Sequence, residues 1–175
     1  ARLKAGELLT VNDGGVYALI ELPESSLPDS LDTFFWELEM NGFRPILSHV
    51  ERNGVLRREP ERLFRWVETG YLTQMTAVSV LEDAVPEVRE FSMTLLEHRM
   101  VHMLVSDSHG LGTRKPQLSQ GMEAVRALAG DRTARDLVED TPARILRGEA
   151  VYPPDPIPLK KKKKTFFSFF RSVRP

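Results

Sequence analysis

The chain has 175 residues, 41% of them hydrophobic and 28% charged, with 24 Lys and Arg against 25 Asp and Glu. That size and balance fit a globular chain with room for a sizeable core, and they exclude bulk disorder and collagen-like repeats. The absence of cysteine excludes thiolate zinc sites, iron–sulfur clusters, a disulfide scaffold and a cysteine nucleophile.

In chain order, the apolar runs are Val16 to Leu22, Pro45 to Ser48, Tyr71 to Met75 and Val101 to Val105, all short enough to be buried strands. Between the first two, Leu31, Phe34, Phe35 and Leu38 recur at helical spacing, with Gly42 as a stop. A second helix opens at Pro60 and runs through Leu63, Phe64 and Val67 to Gly70. A third starts at Pro86 and turns Val88, Phe91 and Leu95 inward. After the last strand come helices over Leu118 to Leu128 and Thr133 to Val138, then a short one capped by Thr141-Pro142. Arg57, Arg58, Glu59, Glu61, Arg62 and Arg65 read as a solvated helix face, and Asp13-Gly14-Gly15 as a turn.

Strand ends recur at about 30 residues, the length of a βαβ unit, so the chain reads as a serial α/β protein with parallel strands. Either a doubly wound sheet or a barrel would cover both faces of such strands. Four strands fall short of the roughly 250 residues of a closed eight-stranded barrel. The composition breaks in the proline-rich stretch after Ala150. This divides the chain into a domain over residues 1–150, a linker over 151–159 and a tail over 160–175. The tail holds seven Lys and Arg and no acid, which leaves the remainder 17 basic against 25 acidic residues. Phe166, Phe167, Phe169 and Phe170 lie among those cations, a pattern suited to an anionic membrane surface. The acidic body disfavours nucleic acid as the partner. No run reaches the roughly 18 apolar residues of a membrane span and no leader pattern opens the chain, so a soluble cytoplasmic body is expected, with peripheral attachment at the inner face of the membrane.

The metal-capable residues fall at strand ends. Glu21 closes the first run and His49 the second, while Asp107 and His109 follow the fourth. Parallel β/α folds build their sites at that carboxyl edge. Carboxylate and imidazole donors without thiolates suit manganese, iron or zinc. The competing reading is that these are solvated loop residues. The spacing of two between Asp107 and His109 would aim both side chains into the mouth. Arg52 and Arg114, on loops leaving the same edge, could meet a bound phosphate. His98, at a helix end, and His102, early in a strand, stand away from that edge. Glu51, beside an arginine, reads as an exposed partner.

The strings Ile20-Glu21-Leu22-Pro23, Pro45-Ile46-Leu47-Ser48-His49-Val50-Glu51-Arg52-Asn53 and Ser106-Asp107-Ser108-His109, followed by Arg114, resemble the metal-site motifs of the bacterial PHP-type protein tyrosine phosphatases. These belong to the polymerase and histidinol phosphatase superfamily and are encoded with capsule or exopolysaccharide machinery. The glycine-ended helix over residues 63–70, the strand bearing Gln74 and the loop serine Ser79 extend the resemblance, which covers about residues 8 to 130. It implies a distorted, TIM-like β/α barrel of which this chain holds the carboxyl-terminal portion. It also implies a cluster of divalent metals, usually manganese, and hydrolysis of phosphotyrosine on a partner tyrosine kinase at the membrane. Carried over to this chain, Glu21, His49, Asp107 and His109 would be metal ligands and Arg52 and Arg114 would bind phosphate.

Two departures stand out. Val50 occupies a position where the family usually has proline, which alters the loop but removes no ligand. The His-x-His pair with which family members begin is absent, His49 being the earliest histidine. The expectation is therefore a chain that begins mid-domain, is poorly active alone and forms oligomers through an unpaired strand edge. Hydrolysis of a small phosphomonoester, and a truncated homologue that binds partners without turnover, are the alternative functions.

Overall fold

Four short strands form one sheet in the order β1-β2-β3-β4, every neighbour parallel: β1 Tyr17–Glu21, β2 Arg44–Ser48, β3 Leu72–Thr76 and β4 Met103–Val105. The computed structural model describes Leu3, residues 5–112 and residues 116–159. Among the described residues the strand order never reverses, and a doubly wound sheet must reverse at its switch point. The winding in one direction is that of a barrel segment.

Alternation along each strand sends neighbouring residues to opposite faces. Leu47, Met75 and Leu104 join the larger core with Phe35, Leu63, Trp66, Leu95 and Val125. Tyr17, Ile46, Leu72 and Met103 join the smaller one with Ile145 and Val151. Burial on both faces is why β2, β3 and β4 do not alternate apolar with exposed polar residues, whereas in β1, at the edge, Leu19 is exposed.

The helices on the larger core are α1 Leu31–Met40, α2 Gly54–Arg58, α3 Pro60–Thr69, α4 Pro86–Glu97 and α5 Leu118–Ala129. In α1 the buried positions are Leu31, Phe35 and Leu38, while Phe34, expected inward, is exposed. Phe35 meets Trp66 and Tyr71 edge-on at ring separations of 5.2 and 5.3 Å. Asp32 accepts from Trp66 Nε1 at 2.6 Å and Glu39 from the Tyr71 hydroxyl at 3.0 Å, so the polar tips of both rings are satisfied. The basic stretch from Arg57 to Arg65 is not one helix. Glu59 takes an extended φ of −128°, as the residue before Pro60 tends to, and this separates α2 from α3.

Packing is tightest at Gly121 of α5. A Cβ there would lie 2.6 Å from Ala77 Cβ and 2.7 Å from the Ala77 carbonyl oxygen, in the turn Ala77–Val80 that follows β3. Only glycine allows α5 so close, and its approach fixes that turn.

After α5, residues 131–146 form one helical run: α6 Asp131–Arg135, a π turn Asp136–Asp140 and α7 Thr141–Leu146. Thr141 was expected to cap a separate helix, but Asp140 and Thr141 both hold helical angles. Pro142 lacks an N–H and its ring crowds the carbonyl four residues back, and the wider π turn accommodates this without ending the helix.

Residues 151–159 have no regular secondary structure, as their prolines dictate, and they lie against the base of the sheet. The Tyr17 hydroxyl donates to the Glu149 carbonyl at 2.7 Å and accepts from Val151 N–H at 3.0 Å. Arg44 donates to the Val151 carbonyl at 3.4 Å and sits 4.9 Å from the centre of the Tyr152 ring. Further on, Ile157 N–H donates to the His98 carbonyl at 2.9 Å. No helix among the described residues is long and apolar enough to cross a membrane.

Candidate functional site

Each strand ends at the same edge, so the first residues of the following loops are neighbours. Glu21, the last residue of β1, is in register with Ser48, and His49 follows at once. Their side chains meet, with His49 Nε2 3.3 Å from Glu21 Oε1. His49 has only 11% of its side chain exposed and Glu21 has 76%. Two ligands about 2.1 Å from one ion, at angles between square and tetrahedral, lie roughly 3.0–3.4 Å apart. The Glu21–His49 couple therefore fits two corners of a metal site.

His49 holds φ 33° and ψ 50°, and Asp107 holds φ 50°. Left-handed backbone at a side chain other than glycine costs roughly 1–3 kcal/mol, and such positions gather at functional sites. Here the turn swings each side chain out of the strand's alternation. Spacing by two therefore does not explain how Asp107 and His109 come together. Asp107 lies beyond the end of β4 and directs Oδ2 to Arg52 Nη1 at 3.1 Å. His109 is 58% exposed; its Nδ1 lies 2.9 Å from the Asp107 carbonyl and 4.0 Å from the Asp107 carboxylate. A carbonyl only accepts, so Nδ1 carries the proton and the lone pair sits on Nε2, the tautomer a metal ligand needs.

Arg52 lies in the short turn Val50–Arg52, between two carboxylates: Asp107 at Nη1, and Glu51 Oε1 3.8 Å from Nε. Glu51 is not the exposed partner its sequence context suggested. It is completely buried, and its Oε1 accepts from Thr76 N–H at 3.1 Å and from the Ser79 hydroxyl at 2.8 Å. Burial pushes its pKa above the ordinary glutamate value, opposed by the hydrogen bonds from Ser79 and Thr76 and by the charge of Arg52.

Asn53 ties this turn to the loop after β1. Its Oδ1 caps α2 by accepting from Val55 and Leu56 N–H, each at 2.9 Å, while Nδ2 donates to the Pro23 carbonyl at 2.5 Å. Arg57 is likewise not a solvated charge, since it donates to the backbone carbonyls of Glu51 and Arg52 at 3.1 and 2.7 Å. A signal for these residues was present in the sequence: small polar residues at and just after the end of β3, Thr76 and Ser79.

Arg114 lies outside the described residues. His98, at the end of α4, holds its Nδ1 2.8 Å from the Ile157 carbonyl. His102 is buried at the opposite edge, its Nδ1 accepting from Thr73 N–H at 2.9 Å. Neither reaches the carboxyl edge. Among the described residues no group of three or more acidic and imidazole side chains closes around a point. The donors suit a divalent metal in chemistry, and the spacing of the Glu21–His49 couple fits two ligands of one ion.

A parallel sheet wound in one direction, with carboxylate, imidazole and guanidinium gathered at its carboxyl edge, defines a β/α protein of the partial-barrel class. Residues 1–147 match the family model described as capsular polysaccharide synthesis, CpsB/CapC, and the chain belongs to that family. It is 30% identical over 164 residues to the tyrosine-protein phosphatase YwqE of Bacillus subtilis, an alignment covering 94% of this chain and 63% of that protein. The putative tyrosine-protein phosphatase CapC of Staphylococcus aureus is 30% identical over 149 residues, covering 85% of this chain and 55% of that one. A solved structure from work on YwqE and on CpsB of Streptococcus pneumoniae, described as unique metal-dependent tyrosine phosphatases, superposes with a TM-score of 0.84 at 28% identity. The match covers 91% of this chain and 64% of that one. The chain thus spans less than two thirds of the length of these relatives.

Proposed function

We propose that the protein is a metal-dependent protein tyrosine phosphatase of capsule or exopolysaccharide synthesis, acting on a membrane-associated tyrosine kinase. The observation that carries this reading is the Glu21–His49 couple beside the Arg52–Asp107 pair at one sheet edge, on a chain whose relatives are named tyrosine-protein phosphatases. Glu21, His49, Asp107 and His109 would hold divalent ions, with manganese favoured and iron or zinc compatible with the same donors. When bound, such ions supply Lewis acidity toward phosphoryl oxygens and acidify water. Arg52 binds and orients: its planar fork matches two phosphoryl oxygens, and Arg114 would add a second fork. Asp107 pairs with Arg52 at 3.1 Å, and His109, with Nδ1 against the Asp107 carbonyl, would offer Nε2 to an ion.

The test is hydrolysis of a phosphotyrosyl peptide by the full-length protein after chelation and after reloading with manganese. Loss on chelation and recovery on reloading support the reading. Full activity after exhaustive chelation, with no metal retained, would sink it.

The basic, aromatic tail over residues 160–175 lies outside the described residues. Its composition supports a cytoplasmic protein docked on the anionic inner face of the membrane. Sedimentation with anionic vesicles should weaken steeply as salt rises, the Debye length being about 8 Å at physiological strength. Equal binding to neutral vesicles would refute the docking role.

A further inference from the structure

We propose that Glu51 is a positioning residue that sets the Arg52 guanidinium for phosphate, an inference that rests on the phosphate-binding role given to Arg52 above. Burying a carboxylate costs several kcal/mol unless it is paired, and an apolar residue of similar volume would fill the space at less cost. Glu51 is nevertheless completely buried, and its Oε2 has no hydrogen-bond partner among the described residues. A side chain retained against that penalty has a use beyond packing.

The geometry says what the use is. Oε1 is pinned from the β3 side by Thr76 N–H and by the Ser79 hydroxyl, so it cannot follow Arg52 if the guanidinium moves. From that fixed point it faces Arg52 Nε at 3.8 Å, while Asp107 draws on Nη1 at 3.1 Å from the other side. Arg57 fixes the backbone between the two residues by donating to both of their carbonyls. The guanidinium thereby lies between a rigid, buried carboxyl and a partly exposed one. Without Glu51, Asp107 would hold Arg52 alone, and each would be less available to a ligand.

Glu51→Gln keeps an acceptor for Thr76 and Ser79 and replaces the carboxyl group that faces Arg52 by an amide. In the metal-loaded full-length protein we expect KM for a phosphotyrosyl peptide and the inhibition constant of inorganic phosphate to rise about tenfold, or ~1.4 kcal/mol. Turnover should change less than about threefold, with metal content unchanged. In an Arg52→Ala background the same substitution should change phosphate affinity less than about twofold, because the group it positions is gone. Ser79→Ala, which removes one pin and leaves the carboxyl, should give a smaller rise with the same dependence on Arg52, and it serves if Glu51→Gln fails to fold. Unchanged phosphate affinity in a folded Glu51→Gln protein overturns the proposal, as does a tenfold effect that persists without Arg52. Phosphate affinity that survives Arg52→Ala alone overturns the role of Arg52 itself and is recognisable as that separate failure.

Discussion

The two ends of the sheet use similar residues in opposite ways. At the amino end, Tyr17, Arg44, His98 and His102 find backbone partners supplied by the segment from Glu149 to Ile157 or by Thr73. At the carboxyl end, Glu21, His49, Arg52 and Asp107 pair with one another, two of them on left-handed backbone. Backbone partners cannot leave, so the base is a seal. Side-chain partners can be exchanged for a ligand, which is what the function proposed for the mouth requires. The same division separates stability from chemistry in β/α barrels generally.

The sharpest way to break this comparison is at the mouth. In the full-length protein His49→Ala, Asp107→Ala or His109→Ala should each lower phosphotyrosine turnover by about two orders of magnitude or more, at least ~2.7 kcal/mol of barrel-edge chemistry. Metal content should fall in parallel, and the thermal midpoint measured without metal should hardly move. Near-normal activity in any two of the three would show that the mouth is wrongly drawn.

The base should instead answer to pH through stability. Burial brings the pKa of His102 down to about 4, against about 6.5 for the unfolded chain. The unfolded state thus takes up the proton first. The stability this neutral ring contributes is whole above about pH 6.5 and is lost as pH falls toward 4, to a limit of roughly 3 kcal/mol. His102→Asn keeps an acceptor for Thr73 N–H and should flatten this dependence. Denaturant midpoints at pH 7 and pH 4.5 measure it, and identical slopes for the two proteins would count against the assignment.

A smaller effect is expected from Tyr17→Phe, which leaves the Val151 N–H and the Glu149 carbonyl without their partner at about 1–3 kcal/mol. Phosphotyrosine turnover at saturating substrate should stay within about twofold. A fall in turnover larger than the fall in stability would mean that the two ends are coupled.

The sheet and its carboxyl edge were legible because the strands are short apolar-rich runs at βαβ spacing, and because Glu21 ends one of them and His49 follows the next. Pro60, Gly70 and Pro86 mark helix limits by their own backbone restrictions and stand where the structure places them. What was not legible depends on contacts far apart in sequence. Glu51 looks like half of a surface pair until β3 brings Thr76 and Ser79 over it, 25 and 28 residues on. The turn at Asp107 hides behind a spacing that suits an extended strand, because no local signal announces left-handed backbone at an aspartate. The proline-rich stretch after Ala150 carries no period at all, and only Tyr17, Arg44 and His98 show where it rests.

The contact between Gly121 and Ala77 bears on how this family can diverge. A would-be Cβ at 121 meets the Ala77 carbonyl oxygen at 2.7 Å and the Ala77 Cα at 2.8 Å as well as its methyl group, so a smaller side chain at 77 would not make room for it. The requirement for glycine is set by backbone against backbone and not by a pair of side chains that could trade volume. Position 121 should therefore stay glycine wherever α5 crosses at this distance. Such a fixed glycine would mark the α5 crossing in any homologue, however far its loops have drifted.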